Sequence, residues 1–403
     1  MRLIARSKYG FLQIIQICLL FLVSLNYENL YFYLIFLTFF VCIIAKFKRF
    51  RVDSIAIGLA LLSICYILFY SPTRDSLTTI IKQFAYPMCY LIGLNLYDAH
   101  GDTNNEENYP DNQIKLSIIV VAFGTLLHYL LNASINITSL LRNTVDYWTG
   151  EVVSATDQAL LPVMAISIFC IWLFGDHKLW KKLFAVIGLL LILAYNFILA
   201  GRTIVLLTVL TMCVAFLFIQ KYMRSNARMK NYLIVCIIII CVILLFLNNA
   251  WGIRDWIIGS NLSQRFESQK FVEDIRFERK IEYISRMLEF PFGGGHLKAV
   301  VGGYAHELYL DVLSDVGIIG YLLVVAVVIA SLVNAIKTIR TEGFSAETKC
   351  MILCVFMGIL VVFFIEPILQ GEPWFFCIFC FLSGGLKYNL LLKKQMKIGG
   401  VKV

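Results

Sequence analysis

The chain has 403 residues, of which 60% are hydrophobic and only 15% are charged, and its formal net charge at pH 7 is +9. Soluble domains carry about 25% charged residues, so this composition excludes an ordinary soluble protein and predicts many membrane spans. A positive net charge also suits nucleic-acid binding. Here, however, most lysines and arginines lie in short loops between apolar runs, where they report membrane topology instead.

Apolar runs recur along almost the whole chain. A hydrocarbon core of about 30 Å takes about 20 apolar residues to cross as a helix, and helix is favoured because lipid offers no partner for free backbone groups. Candidate spans lie at 11–26, 29–45, 52–70, 79–97, 114–132, 158–175, 182–200, 203–220, 231–248, 312–333, 350–369 and 373–392. The sequence therefore predicts an all-α integral membrane protein with about 12 transmembrane helices.

The basic residues of the short loops fall on one side of these predicted spans. They occupy both ends of the chain and the loops 46–51, 178–182, 221–230 and 337–349. The opposite short loops hold only Arg74, Arg142 and Arg202. Because lysine and arginine in short loops mark the cytoplasmic side, we predict that both termini are cytoplasmic.

All twelve cysteines lie in or at the ends of apolar stretches. This placement argues against a disulfide framework and against a zinc site, even for the CxxC pair Cys377 and Cys380, which falls inside a span. We expect small buried thiols, no metal site and no cofactor.

The chain divides into spans 1–9 (1–248), one large outer loop (249–311), and spans 10–12 with a cytoplasmic tail (312–403). Long loops cross the membrane largely regardless of charge, so the basic residues of this loop need another explanation. They are Arg254, Arg265, Lys270, Arg276, Arg279, Lys280, Arg286 and Lys298. Arginine binds phosphate through paired hydrogen bonds, which predicts an anionic ligand at the outer face.

Residues 271–290 of the loop have the apolar spacing of an amphipathic helix. The apolar stripe contains Phe277, Ile281, Ile284 and Leu288. A second sector contains Arg276, Arg279, Lys280, Tyr283 and Arg286. Pro291 ends the helix, and the glycines at 293–295 allow a tight turn. The shared basic face favours anion binding, while a surface helix that lies on the membrane remains the alternative.

Two charged residues lie close to hydrocarbon. Arg202 stands between two apolar runs at the start of span 8, where the helix N-terminus also favours an anion. An arginine at that depth faces protein or a ligand unless it reaches back to the interface. Glu366, between spans 11 and 12, is a counter-ion for an arginine, a substrate ligand or an interfacial residue.

His306 and Glu307 lie just before span 10, after the glycine-rich turn. Histidine has an ordinary pKa of about 6.5 and accepts a proton at neutral pH, so His306 is a candidate general base, with a structural role as the alternative. His296 is a weaker candidate because it lies further from the span. Asp311 and Asp315 suit the first turns of span 10 as local structure.

Four stretches together resemble the O-antigen polymerase and O-antigen ligase superfamily. They are "LAGRTIVLLTVL", the arginine-bearing helix, "LEFPFGGGHL" and "AHELYLDVLSDVGIIGYL". Pro291, Gly293 and Gly295 match the family's P-x-G-x-G turn, and the segment from His306 to Gly320 matches its histidine motif. The resemblance covers about 200–325, and Glu307 departs from it where asparagine is common.

The resemblance implies a GT-C-like, metal-independent glycosyltransferase of the bacterial inner membrane. Its donor would be an oligosaccharide on undecaprenyl diphosphate, with a flippase and a chain-length regulator as candidate partners. Arg202 and Arg276 would stabilise the departing diphosphate, and His306 would be the base, with Glu307 as an orienting partner or an alternate base. The other implied binding residues are Arg265, Arg279, Glu307, Tyr309 and Glu366.

Three functions compete for this pattern. A polymerase adds the growing glycan to the next lipid-linked repeat unit, and a ligase transfers it to a lipid A core. We favour the polymerase because nothing in the loop suggests a dedicated lipid A site. A polytopic transporter or flippase would predict internal repeats and charges within the spans. The sequence shows no internal repeat, and most predicted spans lack charge.

Overall fold

A computed structural model describes residues 11–47, 49–70, 82–96, 109–136, 144–223, 228–229, 232–233, 240, 244–268 and 275–398. The helices in these ranges are α1 (Phe11–Ser24), α2 (Tyr31–Lys46), α3 (Ser54–Phe69), α4 (Ala85–Asn95), α5 (Tyr109–Asn136), α6 (Ala155–Gln158), α7 (Val163–Phe174), α8 (Leu179–Leu199), α9 (Arg202–Tyr222), α10 (Ile253–Ile258), α11 (Asn261–Ser268), α12 (Ile275–Arg286), α13 (His296–Val301), α14 (Leu308–Arg340), α15 (Ala346–Phe363), α16 (Ile368–Gly371) and α17 (Pro373–Ile398). Strands β1 (Thr144–Val145) and β2 (Val152–Val153) form one antiparallel hairpin.

The structure confirms that the chain is mostly helical. Within the described residues, six helices are long and apolar enough to cross a bilayer. They are α5, α8, α9, α14, α15 and α17. Four shorter apolar helices, α1, α2, α3 and α7, coincide with predicted spans but fall below the length of about 20 residues that a span needs. The predicted span 231–248 lies mostly outside the described residues, and the count of twelve stays a prediction.

The described chain forms two compact units. Unit 1 contains 1–125 and 275–403, and unit 2 contains 126–274. In unit 2, α8 and α9 are joined by a turn of only two residues, Ala200 and Gly201, so that Arg202 is the first residue of α9. Ala200 ends α8 in the left-handed conformation at φ 57°. The predicted position of Arg202 at a helix start is therefore correct.

In unit 1, the helix α14 is broken at Gly317, where φ is 78° and ψ is −169°. The break frees backbone groups, and the turn after α12 binds them. The amides of Gly294 and Gly295 donate to the carbonyls of Asp315 and Ser314, both at 2.9 Å, and the amide of Ile318 donates to Pro291 at 2.9 Å. The predicted glycine turn is thus joined to the predicted span, and the two motifs form one structural piece.

The break needs glycine on both sides of the contact. A β-carbon at Gly317 would lie 2.7 Å from Phe292 Cα, and one at Gly293 would lie 2.6 Å from the amide of Val316. Both glycines also have positive φ, which other residues adopt only with strain. Substitution at either position would separate the turn from α14.

The core of unit 1 depends on a close approach of α4 and α17. A β-carbon on Gly384 would collide with the backbone of Tyr90 and lie 2.9 Å from the amide of Leu94, and one on Gly93 would collide with the backbone of Phe381. Small residues let helix backbones approach closely in this way in membranes. The neighbouring Gly385 has open space in the β-carbon direction.

We therefore expect Gly384→Ala to destabilise unit 1, because the added methyl group must push α17 away from α4. Overpacking of this kind costs about 1–3 kcal/mol. Gly385→Ala is the matched control, since it changes the same helix by the same methyl group without a clash. Thermal unfolding of the purified protein in detergent measures both variants, and equal melting temperatures for the two would contradict the packing argument.

Candidate functional site

The helix α12 has one buried side and one exposed side. Tyr283 is fully buried in a cluster with Leu297, Ala305, Leu310 and Leu313. The predicted apolar stripe instead faces outward, with Phe277, Ile281 and Ile284 exposed by 60%, 55% and 58%. The helix predicted over 271–290 is confirmed for 275–286, while 269–274 lie outside the described residues.

The inner side of α12 holds the segment that leads to His306. Arg279 donates from its guanidinium to the carbonyl of Gly302 at 3.1 Å, and the hydroxyl of Tyr283 donates to the carbonyl of Gly303 at 2.8 Å. Burial raises the pKa of the Tyr283 hydroxyl well above its ordinary value, so the group stays a neutral donor. The sequence analysis placed Tyr283 in the basic sector, and the structure shows that it belongs to the core.

Lys280 connects α12 to two other parts of the site. Its Nζ lies 3.1 Å from the carboxylate of Glu307 and donates to the carbonyl of Phe364 at 2.7 Å. Phe364 follows the end of α15, and its ring centre lies 5.1 Å from that of Tyr309. The ion pair gives Glu307 a structural partner on α12. The sequence analysis did not propose Lys280 as a site residue, although the helical spacing already placed it one turn before Tyr283.

Arg276 and Glu366 form another ion pair between α12 and a distant part of the chain. The guanidinium lies 4.0 Å from the carboxylate, and Glu366 is 1% exposed. A buried carboxylate is costly unless a cation or hydrogen-bond donors compensate its charge. Of the three alternatives for Glu366, the structure shows the counter-ion arrangement.

His306 stands directly before α14 in the left-handed conformation at φ 59°. It is half-buried, and Glu307 is the N-cap residue of the helix. The amides of Ala305 and Glu307 both donate to the carboxylate of Asp311, at 2.8 and 3.1 Å. Asp311 was expected from the sequence to be local structure, and its bonds to the amides of both neighbours of the histidine were missed.

The predicted site residues of unit 1 come together around α12 and the start of α14. They are Arg276, Arg279, His306, Glu307, Tyr309 and Glu366. Arg202 and Arg265 belong to unit 2, where Arg202 is half-buried and Arg265 lies on α11 with a side chain outside the described part. His296 lies apart at the start of α13, where its ring stacks on Phe290 with centres 6.0 Å apart.

A second polar cluster, in unit 2, was not found from the sequence. His128 Nε2 lies 2.7 Å from the carboxylate of Asp146, and Asn132 bonds both Asp146 and Gln158. Burial by itself would raise the pKa of Asp146, but hydrogen bonds from His128 and from the amides of the following turn outweigh it and hold the pKa at about 2. The cluster attaches the β-hairpin to α5.

The cluster around α12 combines cations, a histidine and a buried acid near the ends of apolar helices. Cations of this kind bind anions, and a histidine moves protons at neutral pH. Within the described residues, no group of three or more His, Cys, Asp or Glu side chains is arranged to hold a metal ion. No protein-family model matches the chain, and no curated protein is significantly similar to it.

Proposed function

We propose that the protein polymerises lipid-linked oligosaccharide repeat units of an O-antigen or capsule. It transfers the growing glycan from undecaprenyl diphosphate to the next lipid-linked unit at the outer face of the bacterial inner membrane. The observation that carries the proposal is the cluster in which the basic helix α12 holds the segment of His306 through Arg279, Lys280 and Tyr283. The motif resemblance supports the same assignment.

The proposed reaction needs three tasks. The acceptor hydroxyl oxygen bonds to the anomeric carbon of the donor glycan, and the bond from that carbon to the diphosphate oxygen breaks. The hydroxyl proton passes to His306, and the diphosphate leaves with its negative charge stabilised by guanidinium groups. The products are the lengthened glycan on the acceptor carrier and free undecaprenyl diphosphate.

The arginines have graded roles in this reaction. Arg276, on the basic helix α12, is a proposed diphosphate ligand. Arg202 is the other diphosphate ligand that the motif resemblance implies, and it begins α9, where the helix dipole favours an anion. Arg279 and Arg265 are secondary ligands, while Tyr309 and Glu307 line the acceptor side.

The proposed architecture is a GT-C-like fold of about 12 spans with both termini in the cytoplasm and the loop 249–311 outside. A flippase and a chain-length regulator are the proposed partners. A ligase that uses the same donor is the alternative function, and gene deletion separates the two. Collapse of the surface glycan ladder to one repeat unit indicates a polymerase, whereas bare core with free lipid-linked glycan indicates a ligase.

The topology predicts which engineered cysteines an impermeant maleimide reaches. Gln264→Cys, on the exposed side of α11, should react in intact spheroplasts, and Lys178→Cys, before α8, should react only after permeabilisation. Labelling of the unsubstituted protein measures the background reaction of its native cysteines. If Gln264→Cys is protected and Lys178→Cys is labelled in intact spheroplasts, the predicted orientation in the membrane is wrong.

Arg276→Ala and Arg202→Ala should each lower the rate of polymerisation. Removing a charged donor from the departing diphosphate costs about 2–4 kcal/mol of transition-state stabilisation, or about 30- to 1000-fold in rate. Lysine should restore little, because it lacks the forked geometry. Arg286→Ala is the matched control, since Arg286 pairs with Glu282 of its own helix and with Glu289 in the turn that follows it.

A double variant separates binding of the diphosphate from loss of the ion pair. Arg276→Ala removes the cation that lies 4.0 Å from the buried Glu366, and Glu366→Gln then removes the negative charge that this cation balanced. The proposal expects Arg276→Ala with Glu366→Gln to fold and to remain slow in an assay with purified lipid-linked repeat units. Recovery of full activity in the double variant would show that Arg276 serves only the fold.

His306→Ala should lower kcat by about 10²- to 10⁴-fold, because the acceptor hydroxyl loses its base. The rate of the native enzyme should fall as pH drops and the imidazole becomes protonated, and this acid limb should disappear in the variant. Glu307→Gln should have a milder effect if Glu307 only ties the segment to Lys280, and His296→Ala should be silent. An unchanged rate and acid limb in His306→Ala would remove His306 from the mechanism.

A further inference from the structure

One buried carboxylate binds the backbone on both sides of His306. Oδ1 of Asp311 accepts from the amide of Ala305 at 2.8 Å, and Oδ2 accepts from the amide of Glu307 at 3.1 Å. Asp311 is 0% exposed. The N-cap of α14 is Glu307, so Ala305 lies two residues before the N-cap, and capping of the helix does not require the bond to its amide.

The residue between these two amides has a conformation that needs support. Non-glycine residues adopt a φ of 59° only when the surrounding structure holds them there. The segment has further contacts along its length, since Arg279 and Tyr283 bind the carbonyls of 302–303, Lys298 lies over the ring of Tyr304 and Lys280 pairs with the side chain of Glu307. The backbone amides of the two residues next to His306 are the groups that Asp311 binds.

We infer that Asp311 is the positioning residue of the proposed base. It fixes the direction in which the His306 side chain leaves the backbone and so aims the imidazole at the acceptor hydroxyl. This role rests on the proposed function only in taking His306 as the base. The carboxylate is suited to it because two oxygens accept two amide protons, whereas the amide of asparagine has one acceptor oxygen and would present a donor to the second amide.

Asp311→Asn tests the role with little change of shape. A misplacement of a reacting group by about 1 Å can cost about 10²-fold in rate, so we expect kcat to fall by about 10- to 100-fold. KM should stay within about twofold, since the substrate contacts are intact. Asp315→Asn is the matched control, because it neutralises a buried carboxylate one turn later on α14 that bonds Gln370 instead of the histidine segment.

A double-variant cycle distinguishes positioning from a general structural role. If Asp311 acts only through His306, then Asp311→Asn should cost nothing further in the His306→Ala background. An equal loss in both backgrounds would overturn the inference while leaving the proposed function in place. Full activity of His306→Ala alone would instead overturn the assignment of the base.

A readout without substrate tests the same inference if the enzymatic assignment fails. Diethyl pyrocarbonate acylates the imidazole, and mass spectrometry gives the rate at His306. If Asp311 positions His306, this acylation rate should change in Asp311→Asn and stay at the native value in Asp315→Asn. An unchanged rate in both variants would overturn the inference. If Asp311→Asn does not yield monodisperse protein, Asp311→Glu carries the same expectations, and failure of both to fold would identify Asp311 as a folding residue and overturn the positioning role.

Discussion

The break of α14 at Gly317 is the constraint on which the site depends. A continuous helix would use the carbonyls of Ser314 and Asp315 internally, but the break gives them to the amides of Gly295 and Gly294. Those two hydrogen bonds, together with the one from the amide of Ile318 to the carbonyl of Pro291, fix where the chain turns after α12. In a membrane protein such an irregular backbone needs protein partners, because lipid supplies none. The glycine turn is that partner, so neither motif is stable in this form without the other.

The position of α12 follows from the turn, and the position of His306 follows from α12. Once 291–295 is docked, α12 presents Tyr283 to the core and Arg279 and Lys280 to the histidine segment. The neutral hydroxyl of Tyr283 and the two cations then bind three points of a chain only a few residues long. The turn, the helix and the histidine segment thus stabilise one another, which is typical of sequences that specify one structure.

The helical membrane architecture, the amphipathic α12, the glycine turn and the start of α9 at Arg202 could be predicted, because each depends on local residue pattern. Sequence reasoning could not find the bond of Tyr283 to Gly303 or of Lys280 to Phe364, since their partners lie 20 and 84 residues away. Tyr283 was assigned to the basic sector because the position of a residue on a helix does not tell which side of the helix is buried. The pair of His128 and Asp146 was missed for a similar reason, since the connecting hairpin carries no strong strand signal.

Two basic side chains of α12 differ in how closely they contact their acidic partners. Lys280 has close contacts, at 3.1 Å to Glu307 and 2.7 Å to a carbonyl, so an incoming anion would have to break both. Arg276 lies 4.0 Å from Glu366, well beyond the 2.7–2.9 Å that is typical of a charge-assisted hydrogen bond. In the proposed reaction the diphosphate meets a guanidinium that Glu366 does not hold at hydrogen-bond distance, while the buried carboxylate stays near enough to balance its charge. The proposal therefore assigns Lys280 to the support of the histidine segment and Arg276 to the diphosphate, although the two residues lie only one turn apart on the same helix.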